Sequence, residues 1–194
     1  MASIKLQGDT SGELTISAPA VAGTNTLTLP ASTGTVLTDT APKAGNILQV
    51  VQGTLTTSFS TTSTSYVNLV TVAITPTSTA SKIYVSFTTN SGTNGDVNHN
   101  YMAIFRDATE IGSATVAGSR TSAQAIANTG AGQQFVYAGS KLDSPNSISA
   151  ITYAVKVKTP SGVTAYFNRS ARDTDGANYD GRTVSQITVM EVAG

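Results

Sequence analysis

A period-two alternation of apolar and polar residues, repeated between turn signals, is the feature that most constrains this chain. In Lys82–Thr89, Ile83, Val85 and Phe87 point one way while Tyr84, Ser86 and Thr88 point the other. Successive side chains of a strand leave opposite faces, so this pattern describes a half-buried strand. Ala150–Lys158 repeats it with Ile151, Tyr153, Val155 and Val157. Tyr66–Thr75, Tyr101–Arg106, Gln133–Gly139 and Thr183–Val192 read as strands too, as do the shorter runs Ile47–Gln52, Ile111–Val116 and Val163–Asn168. Thr54–Ser65 reads as an edge strand or an extended crossing. The turn Thr159-Pro160-Ser161-Gly162 makes Val163–Asn168 the expected hairpin partner of Ala150–Lys158. Gly92–Asn100 and Ser170–Arg182 are polar loops, and the Gly-, Ser- and Ala-rich stretch Ala117–Gly132 has room for one short helix around Thr121–Ala127. Strands at this spacing, with no βαβ rhythm, predict an all-β antiparallel sandwich or barrel.

Composition narrows the function. Lys and Arg total 11 and Asp and Glu total 11, so the net charge is +0. Without a basic excess the chain is not expected to bind nucleic acid. Charged residues are 11% of the chain, against about 25% in typical globular domains. Ser and Thr fill 54 of the 194 positions. The neutral Ser/Thr/Val surface this leaves is cheap to desolvate between subunits. Cysteine is absent, which removes disulfides, thiolate nucleophiles and Cys-based metal sites. No apolar run approaches the ~18 residues of a membrane helix, so no membrane insertion is expected. The opening Met1-Ala2-Ser3-Ile4-Lys5-Leu6 has no apolar signal-peptide core, so synthesis in a cytoplasm is expected.

The polar stretch Asp39–Asn46, with Pro42 and Gly45, reads as a linker and divides the chain into residues 1–43 and 44–194. The first part holds four short β-prone runs, Ile4–Leu6, Glu13–Ser17, Asn25–Leu29 and Thr35–Thr38, separated by Gly- and Pro-containing turns. About 40 residues with no disulfide or metal rarely fold alone. This part is expected to be ordered by copies of itself or by another protein, as an anchor.

Several stretches resemble known proteins. Gly8-Asp9-Thr10-Ser11-Gly12-Glu13-Leu14-Thr15-Ile16, Ala18-Pro19-Ala20 and Thr26-Leu27-Thr28-Leu29-Pro30 resemble a short module near the start of tailed-phage structural proteins. The second part resembles a β-rich domain of the same kind of protein. The matching stretches are Thr61–Val67, Ile74–Ser78, Ser81-Lys82, Leu142–Pro145, Ile151–Tyr153, Asn168–Ser170 and Ile187–Val192. The resemblance implies a jelly-roll-like domain on a virion surface that assembles as a homotrimer. Residues 1–43 would then bind other virion proteins of the tail or capsid. A tail-fibre tip or knob for host attachment, touching a surface glycan or protein, is the leading expectation. A capsid decoration (cement) or head-fibre protein is the alternative. A small glycan-degrading enzyme comes third.

Candidate sites are few. Asp173, Asp175 and Asp180 place three carboxylates around Gly176 in one loop, an arrangement of hard oxygen ligands that suits Ca²⁺. The plainer alternative is that these aspartates cap turns and pair with Arg172 or Arg182. His99, the single histidine, and Asn100 lie in the predicted 92–100 loop, and Tyr179 lies in the 170–182 loop. All three are receptor-facing candidates, the tyrosine because its amphipathic ring can stack on a sugar. Tyr153 and Tyr166 are expected in the core. His99 has no nucleophile elbow around any serine to serve, and Asp9, Asp39, Asp107, Asp143 and Asp173 sit at turns rather than as a pair in a groove. No catalytic residue and no cofactor other than the Ca²⁺ candidate is expected.

Overall fold

The computed structural model describes residues 3–18, 20–21, 23–24, 42–94, 98–129, 133–176, 178 and 180–194. Among them are thirteen strands and no helix. They are β1 (Ser3–Gln7), β2 (Glu13–Ser17), β3 (Ile47–Leu55), β4 (Phe59–Thr61), β5 (Val67–Ile74), β6 (Lys82–Thr93), β7 (Asn98–Arg106), β8 (Thr109–Glu110), β9 (Ala125–Thr129), β10 (Phe135–Asp143), β11 (Ile151–Lys158), β12 (Ala165–Phe167) and β13 (Ser185–Val192). Two compact units divide between Val36 and Leu37, a few residues before the linker read from the sequence. The expected runs Asn25–Leu29 and Thr35–Thr38 lie outside the described residues.

Among the described residues of the smaller unit, β1 and β2 form an antiparallel hairpin in which Ile4 faces Ile16 and Leu6 faces Leu14. Gly12 closes its turn at φ 85, and the Gly8 amide donates to the Gly12 carbonyl at 3.0 Å. All four apolar side chains share one face and are 49–63% exposed. Lys5 and Glu13 pair at 2.8 Å on the other face. A two-stranded ribbon has no second layer to bury its apolar face, which makes it marginal by itself.

The larger unit is a two-sheet antiparallel sandwich. One sheet runs β3-β13-β6, with β10 on the far edge of β6. β12 continues the line of β13 along β6, pairing Ala165–Phe167 with Thr93–Ser91, and β4 completes it outside β12. The other sheet runs β5-β11-β7, with β8 and β9 sharing the outer edge of β7. Numbering the eight main strands of the sandwich in chain order, the sheets read 1-8-3-6 and 2-7-4-5.

The alternation read from the sequence places the core between these sheets. Ile83, Val85 and Phe87 of β6, with Ile187 and Val189 of β13, meet Val72 and Ile74 of β5, Tyr153, Val155 and Val157 of β11, and Met102 and Ile104 of β7. Tyr153 is fully buried, yet its hydroxyl donates to Asp143 Oδ2 at 2.7 Å. Arg106 Nη1 holds both oxygens of the same carboxylate, at 3.0 and 2.9 Å. Burial first, and then the neighbouring Asp143 carboxylate, push the Tyr153 hydroxyl pKa up. At Gly53 the sheets come so close that a Cβ would strike the Thr71 carbonyl oxygen.

Three sequence expectations are corrected. Val163–Asn168 is not the hairpin partner of β11. The expected turn forms, with Gly162 at φ 80, but β5 and β7 already fill both edges of β11. The chain therefore crosses to the other sheet, where β12 finds β4 and β6. Thr121–Ala127 is not helical. Ala125–Thr129 pairs with Asn98–Met102 as β9, and Ala127 is fully buried in the core, so pairing overrides the helix propensity of alanine. Ile111–Val116 is not a strand; β8 ends at Glu110.

Candidate functional site

The 170–182 loop is organised by ion pairs. Arg172 grips Asp180 through Nε at 2.9 Å and Nη2 at 3.1 Å. The Ser170 hydroxyl and the Thr174 amide donate to the same carboxylate at 2.7 and 2.8 Å. Arg172 above all, then Ser170 and Thr174, holds the Asp180 carboxyl well below the usual carboxylate range. Asp173 pairs with Arg169 at 2.9 Å and with Arg182, and its φ of 52 sets the bend of the loop. These ion pairs occupy the carboxylates of Asp173 and Asp180, and no group of three metal-ligating side chains that could hold an ion occurs among the described residues.

The receptor-facing candidates separate. His99 and Asn100 were expected in a loop but are part of strand β7. The His99 ring is half-buried and stacks on Tyr101 at 6.3 Å between centroids and 16° between planes. Asn100 turns inward: it is fully buried, and its amide donates to Ser91 Oγ at 2.7 Å and the Gly92 carbonyl at 3.2 Å. Asn100 therefore faces no ligand from this position. Tyr179 lies outside the described residues.

Asn168 has a role that its sequence context concealed. It heads the glycosylation-like triplet Asn168-Arg169-Ser170, yet its side chain is fully buried. Its amide donates to the carbonyls of Leu55 and Thr57 at 2.9 Å each, and its oxygen accepts from Ser185 Oγ at 2.7 Å. At φ 60 it occupies the left-handed region that Asn tolerates better than most residues. The side chain pins the loop after β12 to the bend between β3 and β4.

The feature most suited to a function is the outer face of the β10-β6-β13-β3 sheet. Strand register lines up three rows across it: Ala138, Thr88, Gln186 and Thr54; Ser140, Ser86, Thr188 and Gln52; Leu142, Tyr84, Met190 and Val50. These rows contain no charged side chain. The third row is apolar and open, with Leu142 50%, Tyr84 37% and Val50 55% exposed. Ser86, Ser140 and Thr188 line a shallow depression of about 480 Å³ on this face. Hydroxyls and amides both donate and accept, so such a face can pair with a copy of itself. Lys82, beside Val192 at one end, is the nearest charge in register.

The outer face of the opposite sheet differs. Lys156 Nζ lies 4.4 Å from the Phe105 ring centroid and Lys158 Nζ lies 4.4 Å from that of Tyr66. The two rings meet edge to face at 5.2 Å. Burial, and then Glu110, push the Tyr66 hydroxyl pKa up to about 12. Compared with protein-family models and with curated proteins, the chain matches none.

Proposed function

We propose that this chain is a non-enzymatic structural protein of a tailed-phage virion, made in the host cytoplasm. In this reading it is a homotrimeric fibre tip or knob, exposed on the particle and used in host attachment. The uncharged outer face of the β10-β6-β13-β3 sheet is the observation that carries it. Interface cores are depleted of charge, and a face without charge does not repel copies of itself about a three-fold axis. Four strands at ~4.8 Å and six residues at ~3.3 Å give the face a flat footprint about 20 Å on each side. That is about 400 Å² of flat area, about half of the ~800 Å² per partner of a standard contact, so side-chain relief and neighbouring surface must supply the rest. The strand order 1-8-3-6 and 2-7-4-5 supports a jelly-roll reading, in which eight strands form two Greek keys.

The hairpin supports an anchoring role for residues 1–43. Ile4, Leu6, Leu14 and Ile16 form an apolar face that needs a cover, and the occupant in this reading is a virion protein at the attachment point. Two measurements test the reading. Deleting residues 1–43 should abolish incorporation into particles while leaving the sandwich folded; incorporation of the truncated chain would overturn the anchor. Quantitative mass spectrometry of purified particles should give a copy number in the range of tail proteins. A copy number matching the major capsid protein would replace attachment by capsid decoration.

A further inference from the structure

Beside the aromatic–lysine face lies a cavity of about 230 Å³, lined by Thr64, Tyr101, Thr121, Lys158, Thr159 and Ser161 among others. Four separate chain segments build it. Tyr101 of β7 and Lys158 of β11 are cross-strand partners. Thr159 and Ser161 follow in the turn after β11, Thr64 precedes β5, and Thr121 lies between β8 and β9. We propose that this cavity binds one hexuronic acid unit of an acidic glycan.

Each part of the lining matches one part of such a sugar. Lys158 supplies a cation, and among the described residues no carboxylate lies within 4 Å of its ammonium. A sugar carboxylate would be its ion partner. The Tyr101 ring lies beside the nearly parallel His99 ring, and an aromatic plane is what the C–H face of a pyranose stacks on. The four hydroxyls of Thr64, Thr121, Thr159 and Ser161 complement ring hydroxyls, since each donates and accepts. Thr159 carries the independent observation. It is 2% exposed, its amide is satisfied by the Ser63 carbonyl at 2.9 Å, but its hydroxyl has no hydrogen-bond partner. Buried hydroxyls are nearly always paired, so this one fits a group supplied from outside. The volume suits a single sugar ring rather than the full drug-sized pockets of ~300 Å³ and above.

This inference names the ligand class for the attachment reading and takes its biological sense from it. The cavity lies on the sheet opposite the uncharged face, so assembly through that face leaves it open. The test is calorimetric titration of the full chain with three probes, trimers of galacturonate, mannuronate and glucuronate, each beside its neutral hexose trimer. At least one uronate trimer should bind, at least tenfold more tightly than its neutral counterpart. Lys158→Gln should weaken that binding at least tenfold and Thr159→Val severalfold, with Lys158→Arg retaining most of it. Melting temperatures of the variants control for folding. Binding by none of the three trimers, equal binding of the neutral sugars, or undiminished binding by Lys158→Gln would overturn the site. Adsorption of particles to host cells in the presence of the bound trimer separates the two claims. If the chain binds the trimer and adsorption is unaffected, the site stands and its role in attachment falls. If no trimer binds and antibodies to the chain block adsorption, attachment stands and the site falls.

Discussion

The two outer faces of the sandwich share one core and have little else in common. Across β10-β6-β13-β3, three register rows carry hydroxyls, amides and an apolar stripe with no charge. Across β5-β11-β7, Lys156 and Lys158 cover aromatic rings, and Glu110 lies opposite Phe105. Both faces come from strands with the same alternation, so the inward residues decide the fold while the outward residues are free to diverge. One face is uncharged across its register rows, and the other carries lysines over aromatic rings; the proposed subunit contact uses the first and the proposed glycan site the second.

The most disruptive way to break this contrast is to exchange charge between the faces. Thr188→Lys puts a cation in the middle of the uncharged rows, and three such cations would converge near a three-fold axis. The expected outcome is loss of assembly with unchanged circular dichroism. Thr152→Lys, an exposed position on the opposite sheet, should leave the mass of the assembly as it was. If both substitutions act alike, the distinction between the faces fails.

The next effect concerns what the faces share. Asn168→Ala removes three side-chain hydrogen bonds, one of them fully buried, and places alanine at a φ of 60. A loss of about 3 kcal/mol is expected from chemical denaturation. A change below ~1 kcal/mol would mean that the 168–185 connection is not pinned as described.

Glu191 gives a smaller, pH-dependent effect. It is fully buried on the inner side of β13. The Thr77 amide and hydroxyl each donate to it at 2.7 Å, and Gln49 donates at 2.6 Å. Burial alone would raise its carboxyl pKa, but these donors outweigh burial and hold it below the ordinary value. The unfolded-state pKa is about 4.3, so the stabilisation is complete above that pH and is lost as pH falls toward the folded-state value. Glu191→Gln should cost about 2 kcal/mol at pH 7, and the gap to wild type should narrow as the pH drops below 4.3. A gap that widens on acidification would reverse the assignment. Smallest of all, Lys156→Gln should cost about 0.5–1 kcal/mol, the size of an exposed cation–π contact. Thermal melts with and without 0.5 M salt would measure it.

These contrasts mark what the sequence made legible. β2 was read to its bounds, and β5, β6, β11 and β13 were found because one buried and one exposed face impose period two. The partners of each strand were not legible, because alternation fixes a face and not a neighbour. Val163–Asn168 showed a sound turn and a sound strand, yet β11 had no free edge for it. Ala125–Thr129 lacked a bulky apolar stripe, and only its pairing with β7 explains the buried Ala127. Asn100 looked like part of a polar loop because its neighbours are polar, but two buried acceptors draw its amide inward. The uncharged face was present only as a low charge count. It became a surface once register aligned Leu142, Tyr84, Met190 and Val50. The Tyr101–Lys158 cavity joins residues far apart in the chain, and no local motif announces it.

The hairpin of residues 3–17 offers a second contrast with the sandwich. Its strands are as regular as any, but its apolar side chains are open, and a two-stranded ribbon is marginal without a second layer.

Assembly through the uncharged face is tested most directly by sedimentation equilibrium at micromolar concentration on the wild type and Thr188→Lys. The wild type should have three times the 19.8 kDa mass of the chain, and Thr188→Lys should fall to the mass of one chain. A wild type that sediments as a single chain, or a Thr188→Lys variant that keeps the threefold mass, would contradict it.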